Sequence, residues 1–264
     1  MTWRYYNTVP MRGARNMAYD EVMLKTAPPS SVTLRTYTWD PACLSLGCFQ
    51  KYSEVNLEKI KENGFDVVRR STGGRAVLHD KELTYSIVIT PPHEILNMNV
   101  LDSYYLLCEG IVSGLNFLGV NAALKKGDDR ELSTPSCFAA PTFNDIESGG
   151  RKLVGSAQMR AKEGLLQHGS ILLDVDIKKL FDVVSKDENQ SSRLAEAAKA
   201  KITSVNEQLG FRIGLEQLKE NILNGFSDSF SVGFEEVTLD GDFFAKVDDL
   251  EKNKYNSAVW TENR

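Results

Sequence analysis

The chain has 264 residues, of which 42% are hydrophobic and 25% charged, and its formal net charge is −5. This composition is ordinary for a soluble globular protein, and the negative charge argues against broad nucleic-acid binding, although it leaves room for a local basic patch facing an acidic protein partner. No run approaches the roughly 18 consecutive apolar residues that a membrane helix needs. The first residues lack the apolar core of a signal peptide, so we expect a cytoplasmic protein without membrane contact.

Short elements of both kinds are predicted at the start of the chain. Residues 16–26 have the pattern of a short helix, and residues 31–37 alternate in the manner of a strand. A second short strand is predicted over residues 44–47. Asn56 is a good cap for a helix that runs to residue 63, and Gly64 stands where that helix should end.

The run 69–80, Arg-Arg-Ser-Thr-Gly-Gly-Arg-Ala-Val-Leu-His-Asp, lies between two predicted strands. Residues 65–68 are mostly apolar, and residues 83–90 alternate between apolar and polar, which is a strong strand pattern. Glycines let the backbone approach a ligand closely, and loops held by strands often carry function. A guanidinium suits phosphate, and strand alternation predicts that Arg70 faces the site while Arg69 faces solvent.

The clearest helix covers residues 101–118, where apolar residues recur at spacings of three and four. Gly119 follows directly and is typical of a helix end. Cys108 lies on the apolar face, so we expect it in the core. The next segment, residues 125–140, is polar and rich in turn residues, which predicts a long loop of the kind that is often functional.

A hairpin is predicted next, with strands over residues 142–147 and 151–160 and a turn over 148–150. A further strand follows over residues 165–175. The last third of the chain is predicted to be mostly helical, with candidate helices over residues 177–184, 192–200 and 215–230.

These elements predict a fold of the α+β class, with helices packed on a mixed, mainly antiparallel sheet. No repeat or flexible linker divides the chain. We therefore expect one domain over residues 1–264, with its core over about 30–250 and no separate accessory C-terminal domain.

The cysteine and histidine positions give no metal-binding pattern. The four cysteines have no paired spacing, so free thiols are expected. Neither His79 nor His168 has a second ligand at local metal spacing, and His93 lies in a predicted surface loop, so no metal site is expected.

Four separated segments together resemble the lipoate-protein ligase and octanoyltransferase family. They are the run 69–80, the Ser-Cys-Phe of residues 136–138, the Gly-Arg-Lys-Leu-Val-Gly-Ser-Ala-Gln of residues 150–158, and the Gln-His-Gly-Ser of residues 167–170. They occur in the family's order, and the likeness extends over most of the chain. The resemblance implies a fold related to that of biotin protein ligase.

Two positions bear on the reaction that the resemblance implies. The ATP-dependent ligases of the family have a loop similar to RRxSGGGAVFHD, and here Arg75 replaces its third glycine. Cys137 is similar to the cysteine that carries the acyl group in the octanoyltransferase of many Gram-positive bacteria. The resemblance therefore implies a cysteine-dependent octanoyltransferase that needs neither ATP nor a metal ion and follows ping-pong kinetics.

The resemblance also implies roles for the other site residues. Lys152 matches the active-site lysine of the family, where a cation would promote the thiolate of Cys137 and stabilise the developing oxyanion. His79 could hold the loop by bonding to backbone or could contact substrate. The Asn-Asp pair at 144–145 matches a pair near the nucleotide of the ligases. In a transferase, its only role could be to stabilise a turn. The implied substrate contacts are Arg70, Ser71, Gly73, Gly74, Arg75, His79, Gly155, Ser156, Ala157, His168 (similar to a histidine of the acyl pocket) and Gly169.

The implied donor is octanoyl-acyl carrier protein, and the implied acceptor is a lipoyl-domain protein such as the glycine cleavage H protein. Nothing in the sequence suggests an obligate dimer, so a monomer is expected. Two alternatives remain at this stage, an ATP-dependent lipoate-protein ligase and a non-catalytic protein that binds a carrier or an acyl group. The presence of both Cys137 and Lys152 favours an enzyme.

Overall fold

The computed structural model describes residues 1–125, 145–185 and 187–262. The strands are β1 (Thr2–Asn7), β2 (Val32–Tyr37), β3 (Cys43–Leu46), β4 (Asp66–Arg69), β5 (Val77–His79), β6 (Glu82–Ile89), β7 (Ala122–Leu124), β8 (Ile146–Ser148), β9 (Arg151–Ala161), β10 (Gly164–Leu172) and β11 (Gly233–Glu236). The α-helices are α1 (Gly13–Thr26), α2 (Leu57–Glu62), α3 (Val100–Phe117), α4 (Ile177–Val184), α5 (Glu188–Lys199), α6 (Val205–Leu209), α7 (Leu215–Phe230), α8 (Gly241–Leu250) and α9 (Ala258–Thr261). Short 3₁₀ turns cover Tyr52–Glu54 and Glu94–Asn97, and a π-helical turn covers Glu251–Tyr255.

The described strands form a larger sheet in the order β11-β1-β2-β6-β10-β9-β8-β7 and a smaller sheet in the order β4-β3-β5. In the larger sheet, β1 runs parallel to both β11 and β2, and every other neighbouring pair is antiparallel. The prediction of an α+β fold with a mixed, mainly antiparallel sheet is therefore confirmed.

Helices cover both faces of the larger sheet at its centre. Tyr85 and Ile87 of β6 belong to a core formed with α3 and α7, and this side is called the α3 face. Val88 of β6 and Leu166 of β10 pack with residues of α1, and this side is called the α1 face. Because alternate residues of a strand face opposite sides, each polar side chain of β6 and β10 can be assigned to one of these two faces.

The predicted hairpin is formed by β8 and β9, and its turn consists of two glycines. Gly149 and Gly150 have φ values of +58° and +72°, as a two-residue type I′ turn requires, and glycine adopts this conformation without strain. Ser148 was expected in the turn, but it is the last residue of β8 and pairs with Arg151. This part of the prediction was wrong because two residues suffice for the connection. Residues 142–144 lie outside the described residues.

The predicted helix signals are confirmed at α2 and α3. Asn56 Oδ1 accepts a hydrogen bond from the backbone N–H of Lys59 at 3.1 Å, and Gly64 follows with a positive φ. Gly119 likewise adopts a positive φ, directly after the end of α3. Cys108 is buried in the core beneath that helix. No helix in the described part of the chain is long and apolar enough to cross a bilayer.

Several boundaries differ from the predicted ones for local reasons. The strand predicted to reach Val175 ends at Leu172, because the N–H groups of the next two residues both donate to the carbonyl of Lys81. Helix α5 begins at Glu188 rather than at residue 192, because the Asp187 carboxylate caps it.

The core also extends beyond the expected span of residues 30–250. Trp3 and Tyr5 of β1 belong to the core on the α3 face, and Met17 and Tyr255 belong to the core on the α1 face. The alternating aromatic residues Trp3 and Tyr5 were the available sign of β1, but its parallel partner β11 lies far away in the sequence.

Arg69 is buried, so the expectation that it faces solvent was wrong. Its guanidinium donates to the carbonyls of Gly47 at 2.8 Å and Gln50 at 2.6 Å, and also to those of Trp260 and Thr261. In return, the indole N–H of Trp260 donates to the carbonyl of Arg69 at 2.8 Å. Arg69 therefore joins the segment before the glycine loop to α9.

Replacing Arg69 by methionine should lower the free energy of unfolding by about 3 kcal/mol or more, because several buried carbonyls would lose a charged donor. Urea denaturation measures this change. Arg12 provides the matched control, since its side chain is 67% exposed and pairs with Asp66. Arg12→Met should cost less than about 1 kcal/mol. Equal effects of the two substitutions would contradict the structural role given to Arg69.

Candidate active site

A cavity of about 450 Å³ is enclosed by α1, α3, both sheets and the glycine loop. Its volume lies within the range of about 300–1,000 Å³ that is common for small-ligand sites. Most of the predicted site residues meet here. Those that line the cavity are Arg70, Gly73, Gly74, His79, Lys152, Gly155, Ser156, Ala157, His168 and Gly169.

Two predicted substrate-binding residues do not line the cavity within the described part of the chain. The Ser71 side chain lies near the hydroxyl of Tyr255, and Arg75 contributes its backbone carbonyl to a hydrogen bond within the loop. These residues therefore support the loop from outside the cavity. Cys137 lies outside the described residues, and its place beside the cavity stays a prediction.

Arg70 holds the glycine loop in shape. Its Nη1 donates to the carbonyl and hydroxyl oxygens of Ser45 at 3.0 and 3.1 Å. Its Nη2 donates to the carbonyls of Gly73 and Arg75, both at 2.8 Å. All four N–H groups of the two terminal nitrogens are thus directed at protein acceptors. Arg70 faces the site as predicted, but it does not offer a phosphate the free guanidinium fork that the sequence suggested.

Close packing explains two glycines around the cavity, and a positive φ explains a third. A Cβ added at Gly47 would lie 1.8 Å from the carbonyl oxygen of Gly74, which itself has a φ of +92°. A Cβ added at Gly169 would lie 2.5 Å from Ser156 Oγ and 2.7 Å from the ring of Tyr85. Side chains at these positions would push the loop or the strands apart.

His79 is fixed by partners on both ring nitrogens. Its Nε2 lies 2.8 Å from Ser45 Oγ, and its Nδ1 lies 2.6 Å from Glu82 Oε1. Because arginine can only donate, Ser45 accepts from Arg70 and has its own proton for His79 Nε2. His79 Nδ1 then donates to Glu82. The ring also stacks on Trp39, with 4.1 Å between centroids. Of the two roles left open, His79 lines the cavity, and it is held by side chains rather than by backbone.

Lys152 forms a buried ion pair at the cavity wall. Its Nζ lies 2.8 Å from Asp145 Oδ2, and the two side chains are only 8% and 7% exposed. Gly155 leaves the space for this ammonium, since a Cβ there would lie 3.2 Å from Lys152 Nζ. The backbone of Lys152 is also held by the strand-like segment at Ile202. A buried charge is tolerated when paired in this manner, so the structure provides a fixed ammonium beside the cavity.

His168 joins the glycine loop to a buried carboxylate on α1. Its Nε2 lies 2.7 Å from Thr72 Oγ1, and its Nδ1 lies 3.2 Å from Asp20 Oδ2. Asp20 also accepts from Arg35 at 2.8 Å and from the hydroxyl of Tyr37 at 3.0 Å. This set of contacts keeps the imidazole oriented toward the cavity from the α1 face.

Burial sets the charge states of this pair. Burial lowers the pKa of His168 below its usual 6.5, and the hydrogen bond to Asp20 only partly offsets this. Burial alone would raise the pKa of Asp20, but the hydrogen bond from His168 and the charge of Arg35 outweigh it, so the pKa of Asp20 lies below its usual 3.8. We therefore assign a neutral imidazole and an ionised carboxylate.

The free energy of unfolding should fall as the pH falls below about 6.5. The pKa of His168 is lower in the folded protein than in the unfolded chain, so the unfolded chain binds the proton first. The stability that His168 contributes is complete above pH 6.5 and is lost as the pH falls through its lower folded pKa. Asp20 gives a second loss, in the same direction, below pH 3.8. Urea midpoints measured from pH 8 to pH 4 test this, and His168→Gln should remove the upper step. A midpoint that stays constant between pH 7 and pH 5 would contradict the assignment.

Sequence reasoning missed the carboxylates that support the cationic and imidazole groups. Asp20 and Glu82 were not singled out, and Asp145 was matched to a pair near the nucleotide of the ligases or to a turn, not to Lys152. All three are buried. A carboxylate within a mostly apolar stretch of sequence is a candidate for burial, and a fully buried carboxylate is almost always paired. This pattern could have indicated that these residues pair with cationic or imidazole groups.

The fold is shared with lipoate protein ligases. The bi-partite lipoate protein ligase of Thermoplasma acidophilum, described with its E2 lipoyl domain as an archaeal lipoylation system, superposes with a TM-score of 0.84 at 24% sequence identity, covering 99% of this chain and 96% of that one. Residues 12–227 match the family described as Lipoyl protein ligase A/B catalytic domain. The chain belongs to this family, as its motifs implied.

Relatives of known name resemble the chain over its whole length. Octanoyltransferase LipM of Geobacillus kaustophilus is 37% identical over 99% of this chain and 98% of its own length. Octanoyltransferase LipM of Staphylococcus aureus is 37% identical over 98% of each chain. The sequence identity to these octanoyltransferases, 37%, is thus well above the 24% identity to the lipoate protein ligase.

Proposed function

We propose that the chain is an acyltransferase of lipoate biosynthesis, which moves an octanoyl group from an acyl carrier protein to a lysine of a lipoyl domain. The observation that carries this proposal is the full-length identity of 37% to octanoyltransferases named LipM. The enclosed cavity beside the ammonium of Lys152 supports it further, because it provides room for an apolar chain and a fixed cation for its carbonyl.

The first half-reaction loads the enzyme. The thiolate of Cys137 attacks the carbonyl carbon of the donor thioester, and a tetrahedral oxyanion forms. The bond from that carbon to the carrier's sulfur then breaks, and the carrier leaves as a thiol after taking up a proton. Lys152 promotes the thiolate and stabilises the oxyanion. One thioester is exchanged for another, so the activation of the donor is retained.

The second half-reaction transfers the acyl group to the acceptor. The neutral ε-amine of the acceptor lysine attacks the acyl-cysteine, the carbon–sulfur bond breaks, and an amide forms while the thiol of Cys137 is regenerated. A two-step covalent transfer of this kind gives ping-pong kinetics. Insertion of sulfur into the octanoyl chain is a later step for a separate enzyme.

Neither ATP nor a metal ion takes part in the proposed reaction. The donor thioester is already activated, and Arg75 stands where the family's ligases have a third loop glycine. This position supports the thioester route over adenylation.

The proposed acceptor is a lipoyl-domain protein such as the glycine cleavage H protein. The lipoate protein ligase of Thermoplasma acidophilum belongs to a lipoylation system that includes its E2 lipoyl domain, and an acceptor of this class supplies the exposed lysine that the second step needs. We propose that one copy of the chain is sufficient for both steps.

Intact-mass measurement separates this function from its alternatives. Incubation with octanoyl-acyl carrier protein, without ATP, should add one octanoyl unit that hydroxylamine removes, and addition of a lipoyl domain should transfer it. Modification of the lipoyl domain only with free octanoate and ATP would identify a ligase instead. No modification under either condition would leave a binding protein.

A further inference from the structure

Among the described residues, the lining of the cavity is buried at one end, called the closed end, and more exposed at the other, called the open end. At the closed end the lining side chains are buried beneath the α1 face and the smaller sheet, whereas at the open end α3 contributes Val100 and Leu101, which are 56% and 43% exposed. The closed end is formed by Met17, Tyr37, Trp39, Thr84, His168 and Ser170, and the open end by Val100, Leu101, Tyr104 and Gln158.

Strand β9 contacts residues of both ends. Gly155 pairs with Ser170 of the closed end, whereas the hydroxyl of Tyr104 at the open end donates to the carbonyl of the adjacent Ser156 at 3.4 Å. The ammonium of Lys152 lies beside Gly155. The cation that would stabilise the reacting carbonyl is thus carried by β9, the strand that contacts residues of both ends of the lining.

This arrangement gives a direction to a substrate that is attached to a carrier. The acyl tail ends freely and is apolar, so it can fill the closed end. The other side of the thioester must continue to the carrier, so it needs a route out of the cavity, and Val100 and Leu101 are the exposed apolar side chains of the described lining. With the thioester carbonyl at Lys152, the chain that links sulfur to carrier can pass over these two side chains.

The open end suits an arm that alternates apolar and amide groups. Val100 and Leu101 offer apolar contact. The carboxamide of Gln158 accepts from Ser103 at 3.2 Å and donates to Gln167 at 3.0 Å. A carboxamide has two N–H groups and two lone pairs on its oxygen, so these two contacts, counted over residues 1–125, 145–185 and 187–262, occupy half of its hydrogen-bonding capacity.

We infer that the open end of the cavity, at the N-terminal turn of α3, binds the pantetheine arm of the acyl donor. This inference rests on the proposed function and adds to it the path of the donor. The same arm is present in acyl carrier protein and in coenzyme A, so the site should accept the arm from either source.

The test compares Leu101→Trp and Val100→Trp with Leu57→Trp, a matched control at an exposed leucine of α2 outside the cavity lining. Overfilling a contact of this kind should lower kcat/KM by about 5-fold or more. For each of the first two variants we expect at least that loss with octanoyl-acyl carrier protein and with octanoyl-coenzyme A. The loss should be less than about 3-fold with the octanoyl thioester of mercaptoethanol, which has no arm, and the control should match the wild type with all three donors.

Binding of S-octyl-coenzyme A, a thioether that cannot transfer its chain, separates this inference from the proposed reaction. Calorimetry should show tighter binding to the wild type than to Leu101→Trp, by about 10-fold or more. If the wild type binds the thioether but never becomes acylated, the proposed function fails and the inference stands. Equal losses with all three thioesters, a loss with the carrier protein but not with coenzyme A, or no binding of the thioether would each overturn the inference. If the tryptophan variants fail to fold, Leu101→Ala takes their place, and it should bind S-octyl-coenzyme A more weakly than the wild type does.

Discussion

Replacement of Lys152 by methionine should slow formation of the acyl-enzyme by about 100- to 1,000-fold, the range seen when one donor to a developing oxyanion is removed. The methionine side chain fills similar space but carries no charge. Quenched-flow mass spectrometry with octanoyl-acyl carrier protein measures the rate. The same variant should slow alkylation of Cys137 at pH 7, located by peptide mapping, because the thiolate loses its cation.

Loss of fold is the competing explanation, and its size can be estimated. Breaking a buried ion pair costs about 3–5 kcal/mol, because Asp145 would lose this partner, whereas a domain commonly has about 5–15 kcal/mol of stability. The variant should therefore remain folded at low temperature, with a lower melting temperature. Lys125→Met is the matched control, since Lys125 pairs with Glu147 at a more exposed position. An unchanged acylation rate in Lys152→Met would remove this residue from the mechanism.

Replacement of Cys137 by serine should abolish the hydroxylamine-sensitive acyl-enzyme and lower transfer to a lipoyl domain by on the order of 1,000-fold or more, because the nucleophile itself is lost. A serine hydroxyl has no nearby base assigned to it and is a far weaker nucleophile at neutral pH. Cys48→Ser is the appropriate comparison, since Cys48 is half-buried among the described residues. Acylation that persists in Cys137→Ser and disappears in Cys48→Ser would place the intermediate on the other thiol.

Local elements could be predicted because their patterns are local. The alternation of β6 and the periodic apolar face of α3 indicate which side of each element is buried, since each side of a strand or helix meets one environment. The turn of Gly149 and Gly150 is likewise indicated by two adjacent residues. Strand β11 gave no such pattern, because its short, mostly exposed sequence is ordered by pairing with β1, more than 200 residues earlier.

The site was predicted in part for the same reason. Motif positions indicated that Lys152, His79 and His168 would meet, and they do line one cavity. Their partners could not be found from spacing, because Asp20 and His168 are separated by 148 positions. Strand alternation also misplaced Arg69, since the last residue of β4 is covered by α9 rather than by water. Such contacts depend on which distant segments pack together.

The hydrogen bonds between Arg69 and α9 affect the order in which the parts of the protein assemble. Arg69 is bonded to residues that are synthesised 191 and 192 positions later, and those contacts flank the loop that forms one wall of the cavity. Loops of this length are slow to close during folding. A nascent chain can therefore form its central strands early, but its ligand pocket should become complete only after residues 260 and 261 have emerged and docked. Binding competence is thus a late event in the biogenesis of this enzyme, and a short C-terminal truncation would interrupt it.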